Sequence, residues 1–584
     1  MNFRKLSGRF VLAGLLVVAL ASALYAEVGK PFVSLTARSY NDFIGAIDLV
    51  GKTAENPALA STVDAAVRWG IGADLAEAFD LDGIVGVVVL AVDGSPTQVA
   101  CLPLEDPYIL AEFFAEKAGV EEIEERDDGV IVVGDQFSSL CFMPVDGYTL
   151  VASEEDALEV FADGLGDYFA LGEDDSITIV FDWKLFPQEL KDVFTQAFAE
   201  GVERGGEQLP DESDEDYEAR VAGSQYVLRQ LKSLQESIDR IILAIRVEEE
   251  TRNIVLDIKA TFIPDSSLAE ILARAKDVTP RFTGFAQLDA LYGGYSVEIV
   301  DQVEMQKKQY SLLSEGFHSA AGAELDESSK SYEVVTKLQT ILDPLMEELL
   351  GMELARSAFA FTYAPGDSNA VVAIETEKTA VAEKAFADLL DFIKSETGEV
   401  LSKNVTYTDT DSIPGVTFQV CELTFEQVIA LANAWGEEEV SLDEEGLKTA
   451  REFYGEKVRL VMGSGDGACF LGIGNDPTAL FKKARDLDDE NAQHLIKAKF
   501  SLKQIFELCR DVTRLATTFG TESDTKQTAM LFNIMVEILQ SVPENKIVIT
   551  GDCDETSVSV EMRCEEGVTK LLGSIPSLIM MMSM

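Results

Sequence analysis

The chain has 584 residues, with 47 basic and 103 acidic side chains and a formal net charge of −56. Nucleic-acid binding requires a basic surface that displaces counterions from phosphate, so this composition excludes it and disfavours an anionic membrane surface. Because 47% of the residues are hydrophobic, the chain can bury large cores and is not intrinsically disordered. Charged partners are expected to be cationic, such as metal ions, polyamines or basic proteins of the cell envelope, although solubility or a salty habitat accounts for the same acidity.

The first 26 residues have the layout of a secretory signal peptide. Three basic residues precede an uncharged, mostly apolar run at 10–21, and small residues allow cleavage after Ala23 or Ala26. The run is too short for a comfortable membrane span. We therefore predict a signal peptide at 1–26 and a periplasmic or extracellular protein with no stable membrane insertion. Retention as an uncleaved anchor is the alternative.

The rest of the chain repeats one order of predicted elements. Two strands and a helix at 86–115 match the same three elements at 357–393. Further pairs follow in the same order, namely strands 147–152 and 468–473, strands 177–181 and 495–500, and closing hairpins 241–262 and 547–563. Shared order with different loop lengths indicates a divergent internal duplication.

Strands joined in hairpins and separated by single helices favour antiparallel or mixed sheets with helices on one face. We predict an α+β fold with two similar domains after the signal peptide. The first domain is predicted at 27–265, a helical connector at 266–280, and the second domain at 281–584.

The sequence offers little material for catalysis. The histidines, His318 and His494, lie far apart in the chain, which disfavours a catalytic triad and a histidine-based metal site. The run Gly463–Gly467 lacks the spacing of a nucleophile elbow or of a phosphate-binding loop, so we interpret it as a turn between strands. Seven cysteines without CxxC spacing are predicted to be mostly small buried hydrophobic residues.

Carboxylates are abundant, and no pair of them stands out. Acidic clusters lie at 211–216, 437–445 and 486–490. Solvated loops are the simplest interpretation, since none of the three matches the EF-hand pattern. If calcium binds, the first candidate ligands are Asp211, Glu212, Asp214, Glu215 and Asp216. No other metal or cofactor is predicted.

Aromatic residues mark no clear binding surface. Trp69, Trp183 and Trp435 each lie in an amphipathic or strand-like context, which predicts core packing. The segment Tyr292–Tyr295 contains two glycines that let the backbone approach another group closely. A bend just before a helix near Val297–Gln306 is the alternative for this segment.

One resemblance can be stated from the order of these elements. A signal peptide, strand–helix units and a strand ending in Leu150–Ser153, followed by Glu155–Leu158, resemble an uncharacterised family of exported bacterial proteins with a domain of unknown function. The resemblance covers most of the mature chain. It implies bacterial export and a repeated α+β body, and it supplies no catalytic residues.

These observations favour a non-enzymatic binding or scaffold protein of the bacterial envelope, with a groove at the junction of the two repeats. The alternative is a carboxylate-dependent hydrolase, with or without calcium, at the same junction. A third option is an acidic counterion or metal buffer with many weak sites.

Overall fold

The computed structural model of this protein describes residues 29–582 apart from a series of gaps. The longer gaps are 197–216, 222–227, 300–329, 398–404, 436–443 and 519–523. Shorter gaps lie at 55, 93–94, 121–122, 127–128, 136–137, 170–171, 173–174, 189–190, 193–195, 218–220, 230–231, 350, 377, 411 and 490. The predicted signal peptide at 1–26 lies outside the described residues, so it stays a prediction.

Contacts between residues divide the chain into two compact units. The first unit contains the described residues within Met1–Glu200 and Leu231–Ser266, and the end of the last helix from Leu572. The main part of the second unit is Ser267–Leu571. The helix within the predicted connector, Ser267–Ala275, belongs to the second unit.

The first unit is built on an antiparallel sheet. Its described strands are β1 (Val33–Ala37), β2 (Val85–Val92), β3 (Ser95–Leu102), β4 (Ile123–Glu125), β5 (Ile131–Asp135), β6 (Ser138–Val145), β7 (Tyr148–Ala152), β8 (Ile177–Asp182), β9 (Ile238–Glu248) and β10 (Asn253–Phe262). Across the sheet they lie in the order β10-β9-β8-β1-β2-β3-β7-β6-β5-β4, and each neighbouring pair is antiparallel. The first strand therefore lies inside the sheet, between β2 and β8.

The second unit has the same number of described strands as the first. Its described strands are β11 (Tyr292–Ile299), β12 (Leu354–Thr362), β13 (Asn369–Glu375), β14 (Val405–Asp409), β15 (Val416–Thr424), β16 (Lys457–Gly465), β17 (Ala468–Gly474), β18 (Ile496–Ser501), β19 (Lys546–Cys553) and β20 (Ser557–Cys564). They lie in the order β20-β19-β18-β11-β12-β13-β17-β16-β15-β14, again antiparallel throughout. Strand for strand, this is the order found in the first unit.

Helices connect the strands in both units. In the first unit these are α1 (Tyr40–Thr53), α2 (Leu59–Ile71), α3 (Ala73–Ala78), α4 (Pro107–Ala118) and α5 (Glu155–Glu159). The second unit adds α6 (Ser267–Ala275), a 3-10 helix (Thr283–Gln287), α7 (Lys330–Leu349), α8 (Thr379–Thr397), α9 (Phe425–Trp435), α10 (Glu444–Tyr454), α11 (Pro477–Asp486), α12 (Leu502–Thr518) and α13 (Asp524–Gln540). The last helix is α14 (Glu566–Met582).

The start of helix α4 shows why local sequence fixes these elements. The Asp106 carboxylate accepts a hydrogen bond from the Tyr108 N–H, and Pro107 occupies the first helical position. The helix ends at Gly119, whose φ of 69° is left-handed. A capping carboxylate, an early proline and a terminal glycine are the signals that start and stop helices.

Helices cover both faces of each sheet. Successive residues of a strand point to opposite faces. On β7, Leu150 belongs to the core beneath α5, whereas Val151 packs against the core that contains α4. On β17, Phe470 packs against α11, whereas Leu471 packs against α8. The predicted α+β class and antiparallel pairing are confirmed, and the prediction of helices on one face is wrong because the central strands are apolar on both faces.

The two units share a turn of the same sequence. Asp466 and Gly467 connect β16 to β17 with φ values of 52° and 65°. Asp146 and Gly147 connect β6 to β7 with φ values of 53° and 84°. Two consecutive left-handed residues form the type I′ turn that suits the twist of a hairpin. The interpretation of Gly463–Gly467 as a turn between strands is confirmed for Asp466 and Gly467. It is wrong for Gly463–Gly465, which are the last residues of β16 and pair with β15 and β17.

The segment Tyr292–Tyr295 is part of a strand. It opens β11, which pairs with β12 and β18. A Cβ atom on Gly293 would lie 2.5 Å from the Phe285 carbonyl oxygen, so only glycine lets the 3-10 helix lie this close to the sheet. The predicted close backbone approach is confirmed, and the alternative of a bend before a helix is wrong over Tyr292–Ile299.

All seven cysteines are free, and four of them are buried. The buried ones are Cys101, Cys141, Cys421 and Cys469. Burial raises the thiol pKa of Cys101 to about 12 and that of Cys469 to about 11. The prediction that most cysteines are small buried residues is confirmed.

We expect a disulfide reagent at pH 8 to modify at most three thiols of the native protein, because the thiolate is the reactive species and burial disfavours it. Those three are Cys509, Cys553 and Cys564, which are partly exposed. Counting the released thiolate by absorbance checks this, with denatured protein as the seven-thiol control. Fast labelling of Cys101 in the native state would contradict the burial.

Candidate functional site

The second unit contains an apolar cavity between two helices and its sheet. Helix α8 contributes Ala382, Ala385, Phe386 and Leu389. The last three of these residues lie three, four and seven positions after Ala382, and this spacing places all four on one face of the helix. Helix α7 covers the cavity from another side, and strands β13, β16 and β17 form its floor.

The lining of this cavity is apolar throughout. Its volume is about 280 Å³. The lining residues are Leu342, Leu345, Ala370, Val372, Ala382, Ala385, Phe386, Leu389, Leu460, Val461, Leu471, Gly472 and Ile473. None of them carries a titratable or hydrogen-bonding side chain. We refer to this site as the α8 cavity.

Small side chains keep the α8 cavity open. Ala370, Ala382 and Ala385 lie where larger residues would fill it. The cavity reaches solvent beside Leu342 and Ile473, which are 40% and 49% exposed. Apolar side chains offer water no hydrogen-bond partner, so a cavity with this lining favours an apolar ligand.

The first unit has a smaller cavity beside its third strand. Its volume is about 180 Å³. It is lined by Tyr40, Val67, Arg68, Ala76, Phe79, Asp80, Leu81, Val85, Leu102 and Pro103. In contrast to the α8 cavity, it includes three polar side chains.

Two of those polar side chains share one carboxylate. The Tyr40 hydroxyl and the Arg68 Nε both donate to Asp64 Oδ1, at 2.9 and 2.8 Å. Burial and the bond to Asp64 raise the pKa of Tyr40 to about 12. The bonds from Arg68 and Tyr40 lower the pKa of Asp64. Tyr40 therefore stays protonated and Asp64 stays ionised at neutral pH, which suits a structural network rather than proton transfer.

His494 makes a contact with an aspartate of a neighbouring strand. His494 Nδ1 lies 2.7 Å from Asp552 Oδ2, and the His494 carbonyl accepts a hydrogen bond from Tyr295. Both side chains of this contact are about two-fifths exposed, at 40% and 43%. This contact ties the segment before β18 to β19, in agreement with a structural role for His494. His318 lies outside the described residues.

The calcium candidates cannot be placed. Asp211, Glu212, Asp214, Glu215 and Asp216 lie outside the described residues. Of the cluster at 437–445, only Glu444 and Glu445 are described, at the start of α10. In the part of the chain that the structure describes, no three His, Cys, Asp or Glu side chains are placed to hold a metal ion.

The third acidic cluster has a structural contact. Asp488 Oδ1 accepts a hydrogen bond of 2.7 Å from the Gly284 N–H, and the Asp489 N–H donates to Thr283 Oγ1. Desolvation raises the pKa of Asp488. The interpretation of 486–490 as a purely solvated loop is therefore wrong for Asp488, which holds the 3-10 helix against the end of α11.

Trp69 and Trp183 differ in their exposure to solvent. Trp69 is 75% exposed on α2, so the core prediction is wrong for it. Trp183 is partly buried, its Nε1 donates to the Gln235 carbonyl, and its ring stacks on Phe186 at 5.1 Å. The side chain of Trp435 lies outside the described residues.

Charged side chains on the second sheet pair across strands. Glu422 on β15 lies opposite Arg459 on β16 and accepts hydrogen bonds from Arg459 Nε at 3.1 Å and Lys457 Nζ at 2.6 Å. These bonds, led by that of Lys457, lower the pKa of Glu422. The carboxylate side chain is only 13% exposed, so its charge is shielded from solvent and the contact stabilises the pairing of β15 with β16.

Comparisons with known proteins add no assignment. No family model, curated protein or solved structure matches the chain. The resemblance to exported bacterial proteins thus stays a prediction. None of the described helices combines the length and apolarity needed to cross a bilayer.

Sequence reasoning missed the α8 cavity. The spacing of Ala382, Ala385, Phe386 and Leu389 gives an apolar helix face. A face that packs tightly and a face that lines a cavity have the same spacing. The small side chains of Ala382 and Ala385 are the one signal in the sequence that could have indicated unfilled space between this helix and the sheet.

We expect Glu422→Gln to lower the free energy of unfolding by about 1 kcal/mol at pH 7. Because the folded-state pKa of Glu422 is lowered, its contribution is present above the pKa of unfolded glutamate, about 4.3, and is lost as the pH falls through the folded-state value. The difference from wild type should therefore shrink at pH 3, as measured by urea unfolding. Glu452→Gln is the control, since that carboxylate is 57% exposed and 3.9 Å from Lys448. An equal loss at both pH values would contradict the charge pairing.

Proposed function

We propose that this chain is an exported, non-catalytic binding protein of the bacterial envelope, and that the α8 cavity takes an uncharged apolar ligand. The lining of that cavity carries the proposal. Thirteen apolar residues line about 280 Å³ without a charge or a hydrogen-bonding side chain. Each methylene group that a ligand buries there contributes roughly 0.8 kcal/mol.

The same lining argues against catalysis at this site. It supplies no nucleophile, acid or base, and a reaction needs such groups at the reacting atoms. A carboxylate hydrolase would need two facing acids with separated pKa values. In the described residues, Asp488 is the one carboxyl group with a raised pKa, and it is bound to the Gly284 N–H.

Internal duplication is part of the proposal. The two units share one order of antiparallel strands, and both carry the Asp-Gly turn between their sixth and seventh strands. Each unit also has a largely apolar cavity that touches its third strand, β3 or β13. A binding body that was duplicated and then diverged accounts for these common features.

Binding of N-phenyl-1-naphthylamine, an uncharged apolar fluorophore, tests the proposal on the mature full chain. We expect enhanced fluorescence that saturates with one strong site. Ala385→Phe should weaken this binding at least tenfold, because the added ring fills the space that the probe needs. Ala387→Phe, on the exposed side of the same helix, should leave the binding unchanged.

A second variant covers the possibility that Ala385→Phe does not fold. Ile473→Asp places a charge at the half-exposed mouth of the cavity, where it should reduce probe affinity severalfold without disturbing the core. Val512→Asp is the matched control, because Val512 is 46% exposed on α12. Equal affinity in wild type, Ala385→Phe and Ile473→Asp would overturn the proposed site.

Export has its own test. We expect a Gram-negative host to release the protein to the periplasm with residues 1–26, or 1–23, removed. Intact-mass measurement of the periplasmic fraction checks this directly. A full-length mass in the membrane fraction would support the uncleaved anchor, and a full-length mass in the cytoplasm would contradict export.

A further inference from the structure

A row of aromatic side chains continues the α8 cavity across the second sheet. Val372, which lines the cavity, lies directly opposite Phe359 of β12. The Tyr292 ring of β11 is 5.4 Å from the Phe359 ring, and the Phe500 ring of β18 is 4.9 Å from the Tyr292 ring. We refer to Phe359, Tyr292 and Phe500 as the aromatic row.

The pairing register places the row on the cavity side of the sheet. Residues directly opposite each other on neighbouring strands share a face. Tyr292 lies opposite Phe500, and Phe359 lies opposite both Gly294 and Val372. Because Gly294 has no side chain, the Phe359 and Tyr292 rings can meet diagonally above it. The apolar surface is thus continuous from Val372 to β18.

Part of this surface faces solvent. Phe359 is 38% exposed, and Ile473 and Leu342 at the cavity mouth are 49% and 40% exposed. Isolated exposed apolar residues are ordinary on a protein surface, whereas a contiguous set next to a cavity marks a binding site. Neighbouring strands are about 4.8 Å apart, so the row on β12, β11 and β18 extends roughly 14 Å from the cavity strand β13.

We infer that the ligand is a linear alkyl or acyl chain without a negative charge, with one part in the α8 cavity and the rest along the aromatic row. The inference rests on the proposed function. An apolar cavity of about 150 Å³ is known to hold benzene, so a compact ring system would fit in the α8 cavity and leave the row empty. A linear chain covers both surfaces. The net charge of −56 disfavours an anionic head group.

Displacement of N-phenyl-1-naphthylamine by 1-alkanols of six to fourteen carbons tests the inference. In wild type, we expect the dissociation constant to fall about fourfold per added methylene over the whole series. In Phe359→Ser, the shortest alcohols should bind as in wild type. Above an intermediate chain length, added methylene groups should no longer lower the dissociation constant. The longest alcohol should then bind at least tenfold more weakly than in wild type.

Matched controls make the outcome specific. Phe43→Ser removes a phenylalanine of similar exposure, 40%, from α1 of the first unit, and it should change nothing in the series. Dodecanoate should bind at least tenfold more weakly than 1-dodecanol because of its charge. The same length dependence in wild type and Phe359→Ser would overturn the inference, as would compact 1-adamantanol binding as tightly as linear 1-decanol. Failure of the fluorophore itself to bind wild type would instead contradict the proposed function.

Discussion

Burial of both faces of a wide antiparallel sheet is the constraint on which this structure depends. In β2, the residues Val88–Val92 are all buried, so neither side of the strand can face water. Helices must then cover each face, and the connections between strands supply them. Helices α1–α3 connect β1 to β2, and α4 connects β3 to β4. The α8 cavity and the aromatic row lie where that cover is incomplete, so the proposed binding site is a consequence of how the sheet is covered.

Much of each sheet could be predicted from sequence because its signals are local. Hairpin β9–β10 alternates apolar and charged residues, and Asp-Gly pairs specify the turns of β6–β7 and β16–β17. Strands β1 and β11 were missed because their partners are remote and their sequences are polar or glycine-rich. The Gly293 and Gly294 pair is typical of a bend in isolation. Only the approach of Phe285 to Gly293 explains why glycine is needed within a strand.

The candidate site depends on volumes that no sequence pattern reports. A methyl group at Ala382 or Ala385 leaves space only because α7, α8 and β17 are held at their particular separation. The acidic clusters, which are obvious in the sequence, suggested candidate sites in other segments of the chain. Asp488 is bound to a backbone N–H, and the calcium candidates at 211–216 are not described. The proposed function therefore rests on the alanines of one helix face that line the α8 cavity, and not on the acidic clusters.

The central position of the first strand in each sheet bears on how the protein folds. Val33 of β1 pairs with Phe181 of β8, and Tyr292 of β11 pairs with Phe500 of β18. Such pairings between distant segments make folding slow, since a long loop must close before its contacts form. A chain that emerges N-terminus first holds β1 without one of its two partners until most of the unit has been synthesised. Slow closure of this kind keeps a polypeptide unfolded for longer after synthesis, which is the state in which a chain can be threaded through a narrow translocation pore.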